Sequence, residues 1–366
     1  MANIYALGSN GSGQLGIGHK ADVSVPKEVL FQGSLSCEQQ PLIKAGGNHT
    51  LLISKGELYF SGDASTGACG LVATADEPQS CFRKVLFGKE NPSCDNEREI
   101  IHCTATWEAS IIVRRDCNGH ATKVYSFGTG SKGELGLGEL IIRSPTAQPI
   151  KDFPPAGTEV VHLVASVSHV VAVLSNGDVY GWGSGRKGQL GLPEGIVYSP
   201  RKILDLGFEV DRAVCGREFT YLISKAEENR QTFLGVDKWE LKSSAPAMIG
   251  HWKELGASWG GIFILQTDGS LLSWGRNDHG QLAPPSLPGI SQIAVGSEHV
   301  LALTFLGDVL AWGWGEHGNC GPSTTNGDVK GRWNVVASLK HLPLGCKIIS
   351  IGAGCATSWI FVTTSP

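Results

Sequence analysis

Short apolar runs punctuate this chain along its length. LLIS at 51–54, SIIVR at 110–114, VVAVL at 170–174, IFIL at 262–265 and LALTF at 301–305 are rich in aliphatic and β-branched side chains and are bounded by Gly-containing turns. Runs this short, with this composition, read as β-strands. None reaches the roughly 18 residues that would span a membrane as a helix.

The strands belong to a repeat with two halves. The first half is an aromatic or aliphatic residue, a small residue, a Gly, and then a Gly-rich turn toward Gln-Leu-Gly. It occurs as YALGSNGSGQLG at 5–16, YFSGDASTGACG at 59–70, YSFGTGSKGELG at 125–136, YGWGSGRKGQLG at 180–191, LSWGRNDHGQLA at 272–283 and LAWGWGEHGNCG at 310–321. A decayed copy, TFLGVDKWELKS, sits at 232–243. The second half is a small-residue turn that enters an apolar strand, often with His. Clear copies are AGGNHTLLIS at 45–54, ASVSHVVAVL at 165–174, CGREFTYLIS at 215–224 and VGSEHVLALT at 295–304. TATWEASIIV at 104–113, GASWGGIFIL at 256–265 and GAGCATSWIFV at 352–362 are weaker versions.

Seven marker glycines follow: Gly8, Gly62, Gly128, Gly183, Gly235, Gly275 and Gly313. The last two are 38 residues apart, close to one four-stranded propeller blade, whereas Gly62 and Gly128 are 66 apart. The longer early steps need insertions, which the polar stretches at 76–98 and 114–122 supply. The expected fold is therefore all-β, a seven-bladed β-propeller forming one domain over residues 1–366. The chain begins part-way through a repeat, so one blade has to be completed by joining the ends. IISIGAGCATSWIFV near the C-terminus is expected to pair with NIYALG near the N-terminus, which removes an open sheet edge.

Composition narrows the function. The 366 residues include 49 Gly, which suits many tight turns, and 41% apolar residues, which is ample for a core. The net charge is −4 and no Lys/Arg-rich run is present, which argues against direct DNA binding. The N-terminus MANIYALGSNGSGQLG lacks the basic and apolar regions of a secretory signal. None of the ten Cys forms a CxxC pair, so they read as reduced thiols in a cytoplasmic or nuclear protein, most of them small core residues.

Candidate chemistry is sparse. GSGQLGIG at 11–18 contains GxGxxG, but Pro26 and strand-like residues follow where a dinucleotide fold needs a helix. The same glycines recur as blade turns, where they supply positive φ. No HExxH, GxSxG, phosphate loop or CxxC pair is present, so no catalytic residue, metal ligand or cofactor is assigned and the chain reads as a non-enzyme. His49, His169 and His299 share one repeat position, which implies one structural job per blade, a hydrogen bond to a neighbouring turn. Trp182, Trp274 and Trp312 also share a position, aligned with Phe60 and Phe127, and are expected to pack between blades.

Departures from the repeat point to a binding surface. The residue after the marker Gly is Ser9, Asp63, Thr129, Ser184 or Val236 in five copies, but Arg276 and Trp314 in two adjacent ones. Trp and Arg are enriched at interface hot spots. A partner is therefore expected on the face carrying these turns, centred on Trp314 and Arg276. Asp278, His279, Glu316 and His317 follow in the same two turns as its polar rim. Trp107 and Trp259, intruders in the other half-motif's turn, are the next candidates.

The seven paired half-motifs resemble the regulator-of-chromosome-condensation repeat over nearly the whole chain. YALGSNGSGQLGIGH at 5–19, AGGNHT at 45–50, WGWGEHGNCGP at 312–322 and GCATSWI at 354–360 resemble its fungal killer-toxin-insensitivity, or α-tubulin-suppressor, branch. That resemblance implies a heterodimer with a small zinc-binding CSL-type protein, which serves as electron donor in diphthamide synthesis on elongation factor 2. It also implies support of the Elongator complex in tRNA wobble-uridine modification, with the propeller as a non-catalytic accessory. The rival reading is a chromatin-associated guanine nucleotide exchange factor for a small GTPase. The sequence shows no basic tail for DNA and no long inserted wedge after the third blade; the decayed fifth copy and the insert at 76–98 keep that reading open.

Overall fold

The computed structural model describes residues 2–32, 41–70, 80–87 and 99–364. Most of the 76–98 insert lies outside them. The fold is an all-β, seven-bladed propeller, with seven antiparallel sheets of three or four strands. Each blade is named here by its marker glycine.

The marker glycines have a common geometric cause. Their φ values run from 101° at Gly183 to 118° at Gly8. A Cβ at Gly62 would lie 2.3 Å from the Asn48 carbonyl oxygen, and one at Gly313 would lie 2.6 Å from that of Glu298. The amide of the next residue donates to the same carbonyl: Asp63 to Asn48 at 2.9 Å and Trp314 to Glu298 at 2.9 Å. Only a residue without a side chain lets the third strand leave the sheet this close to the turn that begins the second.

The chain divides into two compact units. One comprises Met1–Ile43, Gln79–Phe82 and Asp237–Pro366. It holds the Gly275 blade (Trp252–Ala257, Gly261–Gln266, Leu271–Gly275) and the Gly313 blade (Ile290–Val295, His299–Thr304, Asp308–Trp314, Asp328–Ser338). Its Gly8 blade joins the two ends of the chain. Ala2–Gly8 lies between Val23–Glu28 and Thr357–Thr364, with Cys346–Ala353 outermost. The pairing runs in unbroken register from Ala2 opposite Thr363 to Gly8 opposite Thr357, so the N-terminal strand closes the last blade. Leu7, Phe263, Val300, Leu301, Trp312 and Ile360 are in its core.

The second unit comprises Lys44–Pro78 and Arg83–Val236. It contains the Gly128 blade (Ile100–Ala105, Ala109–Arg114, Lys123–Thr129, Arg143–Pro149), the Gly183 blade (Val160–Ala165, His169–Leu174, Val179–Gly185, Gly195–Lys202) and the three-stranded Gly235 blade (Arg212–Cys215, Phe219–Ile223, Gln231–Gly235). Most of the Gly62 blade, His49–Ser54, Glu57–Gly62 and Arg83–Lys84, completes it. Its core is built from Ile111, Val170, Val171, Trp182, Leu190 and Leu222. The central strand of the Gly183 blade, His169–Leu174, is buried at every position because a blade covers each face.

The repeated histidines form a relay between blades. His49 Nε2 lies 3.1 Å from Ser110 Oγ, which donates to the Ala68 carbonyl. His169 pairs likewise with Thr220, which donates to Gln189, and His299 with Ser358, which donates to Asn319. Each hydroxyl spends its proton on a carbonyl, so it accepts from the ring and fixes the Nε2–H tautomer. The sequence reading of one structural hydrogen bond per blade holds, although the ring reaches the turn through a hydroxyl of the next blade. Burial pushes all three rings from the ordinary 6.5 down to about 4.

Candidate partner-binding site

In the first unit the turn after Gly275 and the turn after Gly313 meet through their side chains. The Trp314 and His279 rings stack with centroids 4.7 Å apart and planes 9° from parallel. His279 Nδ1 lies 2.9 Å from Asp328 Oδ1, and Asp328 is the strand partner of Trp314. Trp314 is therefore half-buried, laid across the turn of the preceding blade.

Arg276 sits at the centre of a charged network. Its guanidinium donates to Glu298 Oε1 at 2.6 Å and to Asp278 Oδ2 at 2.7 Å. Gln281, fully buried, donates to Glu298 Oε2 at 2.8 Å and Asp278 Oδ1 at 3.0 Å. Burial opposes the charged form of Asp278, but hydrogen bonds from Arg276 and Gln281 outweigh it and hold the carboxyl at about 2. Burial pushes Glu298 up in spite of the same two partners. The side chain of Arg276 keeps 23% of its surface exposed.

Trp239, which the sequence reading missed, completes the patch. Its ring lies under the Arg276 guanidinium at 5.4 Å from the centroid, and the residue is 44% exposed. Both Trp239 and Glu240 adopt positive φ, at 63° and 57°, a conformation that costs about 1–3 kcal/mol per non-Gly residue. The signal available in the sequence was the decay of the fifth copy itself: a Trp replaces its Gly-rich turn. Leu241 nevertheless keeps the place of the buried Leu in Gln-Leu-Gly and accepts the Trp274 indole N–H at 2.8 Å.

Trp259 joins the same end of this unit. Its amide donates to the Ser297 carbonyl at 2.8 Å, and a Cβ on Gly260 would lie 3.0 Å from Arg276 Cβ and 3.3 Å from Trp239 Cδ1. Glu316 is exposed in the Trp314 turn, and His317 Nδ1 lies 2.8 Å from Asp22 Oδ2. Trp107 belongs to the second unit, where it is 39% exposed and covers the backbone at Gly47, 2.5 Å from a Cβ there. Among the described residues no group of three or more His, Cys, Asp or Glu converges as a metal site.

The RCC1-like domain family model matches residues 3–360. The chain belongs to this family. An RCC1 repeat-containing protein of Schizosaccharomyces pombe is 32% identical, with 98% of each chain covered. The secretion-regulating guanine nucleotide exchange factor of Bos taurus is 28% identical over 82% of this chain and 72% of its own. Among solved structures, Prp20p of Saccharomyces cerevisiae, described with its binding properties to Gsp1p and histones, superposes with a TM-score of 0.78 at 20% identity, covering 100% of this chain and 92% of that one. The likeness to Prp20p carries the fold.

Proposed function

We propose that this RCC1-like propeller is a non-catalytic scaffold that binds a small zinc-binding CSL-type protein. As that heterodimer it supports Elongator-dependent wobble-uridine modification and diphthamide synthesis on elongation factor 2. The observation behind a binding role is the patch of Trp239, Arg276, His279 and Trp314 in the first unit: aromatic rings and an arginine held in fixed geometry. Pre-positioned anchors of this kind lose little side-chain entropy on binding. The zinc belongs to the partner, and this chain contributes no ligand to it. The proposed working compartments are the cytoplasm and the nucleus.

Exchange-factor activity on a small GTPase is the second reading, favoured by the likeness to the secretion-regulating guanine nucleotide exchange factor of Bos taurus. One experiment separates the two. Purified protein is titrated calorimetrically with the recombinant zinc protein and, separately, with a Ran-type GTPase whose nucleotide release is followed by fluorescence. Saturable binding to the zinc protein without acceleration of nucleotide release supports the scaffold. Accelerated release without zinc-protein binding supports the exchange factor. In a deletion strain the scaffold reading expects reduced wobble-uridine modification.

A further inference from the structure

In a four-stranded blade the third strand is paired on both sides. In the Gly8, Gly62, Gly128 and Gly183 blades, the carbonyl four residues before the marker glycine accepts the amide of the residue just after the fourth strand. Ile4 accepts from Val29 at 2.8 Å, Leu58 from Val85 at 2.8 Å, Val124 from Ile150 at 2.9 Å and Val179 from Ile203 at 2.8 Å. All four donors are buried aliphatic residues. Three of them share a local sequence: Lys-Glu-Val-Leu at 27–30, Arg-Lys-Val-Leu at 83–86 and Arg-Lys-Ile-Leu at 201–204.

The Gly275 blade stops at three strands. The Arg276 amide donates to the Gly260 carbonyl at 2.8 Å and that of Gln266 to the Ser270 carbonyl at 2.9 Å, which fixes the bonded pairs of its outer ladder. Bonded and non-bonded pairs alternate, so Leu271, Ser273 and Gly275 turn their N–H and C=O groups away from Gly261–Gln266. The same positions of the Gly313 blade, Val309, Ala311 and Gly313, face Ala337, Asn334 and Val329 of a fourth strand. At Leu271, Ser273 and Gly275 none of these main-chain groups is hydrogen-bonded among the described residues. The cause lies in the sequence that follows, LAPPSLPG at 282–289, whose three prolines have no amide to donate. This segment passes the strand without pairing to it. Its Ala283 amide donates to Ser273 Oγ at 2.9 Å, a side chain rather than the main chain, while Leu282 and Leu287 pack partly against the core. Leu271, Leu272 and Ser273 are only half-buried, where Val309, Leu310 and Ala311 are buried. The Gly235 blade also has three strands, but the residues that follow its third strand belong to the other unit.

We infer that Leu271–Gly275 is a docking edge that takes an extended segment of a partner protein as the antiparallel fourth strand of this blade, with a Val or Ile donating its amide to the Leu271 carbonyl. A row of unpaired main-chain groups is a template for an added strand, whose main-chain bonds give affinity and whose alternate side chains give specificity. The aliphatic requirement comes from Val29, Val85, Ile150 and Ile203, which fill that position in four other blades. The residue two before it pairs with Ser273, as Arg83 opposite Phe60 stands two before Val85. The incoming strand displaces the Ala283 contact to Ser273 Oγ and supplies main-chain bonds in its place.

The test uses the full chain and a fluorescein-labelled peptide of sequence FRKVLF, that of residues 82–87, followed by anisotropy. Saturable binding is expected. Methylating the amide nitrogens of the peptide's Arg and Val keeps its side chains and removes both donors, and should weaken binding at least tenfold. Ser273→Pro removes the N–H of the edge, a change tolerated where that group points out of the ladder, and should also weaken binding at least tenfold. Ser273→Ala keeps the N–H and loses only the side-chain bond to Ala283, so it should bind at least as well as the parent. Absence of saturable binding overturns the inference, as does a methylated peptide that binds with the affinity of the unmethylated one. A Ser273→Pro protein that is folded by circular dichroism and binds like the parent also overturns it. If that variant does not fold, the methylated peptide decides alone. A concentration-dependent dimer of the full chain that the peptide does not dissociate gives the edge to a second copy and overturns the inference as well.

Discussion

The indole N–H of Trp312 donates to the main-chain oxygen of Gln281 at 3.0 Å, and both residues are fully buried. Gln281 lies in the turn after one marker glycine and Trp312 in the third strand of the next blade, so the bond joins successive blades. Trp182 and Glu134 are related in the same way at 3.0 Å, and Trp274 and Leu241 at 2.8 Å. An aromatic residue at this position supplies packing area, and the indole adds a fixed hydrogen bond to a carbonyl that burial would otherwise leave unpaired.

Trp274→Ala should therefore lower stability by roughly 3–5 kcal/mol, the range for truncating a large buried aromatic residue. Trp274→Phe should cost less, because it gives up the hydrogen bond and part of the area only. Denaturant unfolding of the two variants checks both the size and the order.

Closure of the Gly8 blade rests on the pairing of Ala2–Gly8 with Thr357–Thr364. Deleting residues 3–9 leaves Thr357–Thr364 as an unpaired edge in a sheet that lost its central strand. The truncated protein should aggregate and melt lower. Light scattering and a melting curve test this; a monomer with the parental melting temperature would dissociate closure from stability.

The pH dependence follows from the buried histidines. His49, His169 and His299 have folded pKa values of about 4 against 6.5 in the unfolded chain. Above 6.5 the neutral rings carry their full contribution. As pH falls from 6.5 to 4 the unfolded state binds protons that the folded state refuses, so stability declines, by about 3 kcal/mol per histidine. Glu134, Glu254 and Glu298, pushed up by burial, act with the opposite sign and offset part of this loss. Asp278, at about 2, loses its charge below the histidine window. Phe219 occupies the same repeat position in the Gly235 blade, so His299→Phe should fold. It should flatten the slope of unfolding free energy against pH by up to one proton between 6.5 and 4.

Much of this was legible in the sequence because a repeat states each rule seven times. The blade number, the closing strand and the inter-blade roles of Trp182, Trp274 and Trp312 follow from positions that recur. What recurs least was hardest to read. Trp239 lies in the one copy whose turn has decayed, so alignment to the other six offered no place for it. The partners of Arg276 were hidden for another reason. Glu298 is 22 residues further on, in the next blade, and only blade stacking brings it to the guanidinium. The sequence showed the unusual arginine and Asp278 in its own turn, but not that Glu298 completes the network.

That network decides how the proposed binding site has to be probed. Removing Arg276 would strand Glu298, which is buried, and Asp278, so Arg276→Ala confounds binding with stability. Trp314 and Trp239 are better probes, since each lies at the edge of the network rather than inside it. Trp314→Ala removes a ring stacked on His279 and should leave the strand register of Asp308–Trp314 intact. Trp239→Ala removes the ring beneath Arg276 and leaves both of its carboxylates in place. A small zinc-domain partner would cover roughly 800 Å² on each side, and a Trp near the centre of such a patch commonly contributes 2 kcal/mol or more. Each variant should therefore weaken the complex about thirty-fold while unfolding close to the parent. Titration calorimetry on the folded variants measures this directly. Full affinity in both would move the interface away from these turns, and Trp107, in the second unit, would be the next residue to truncate.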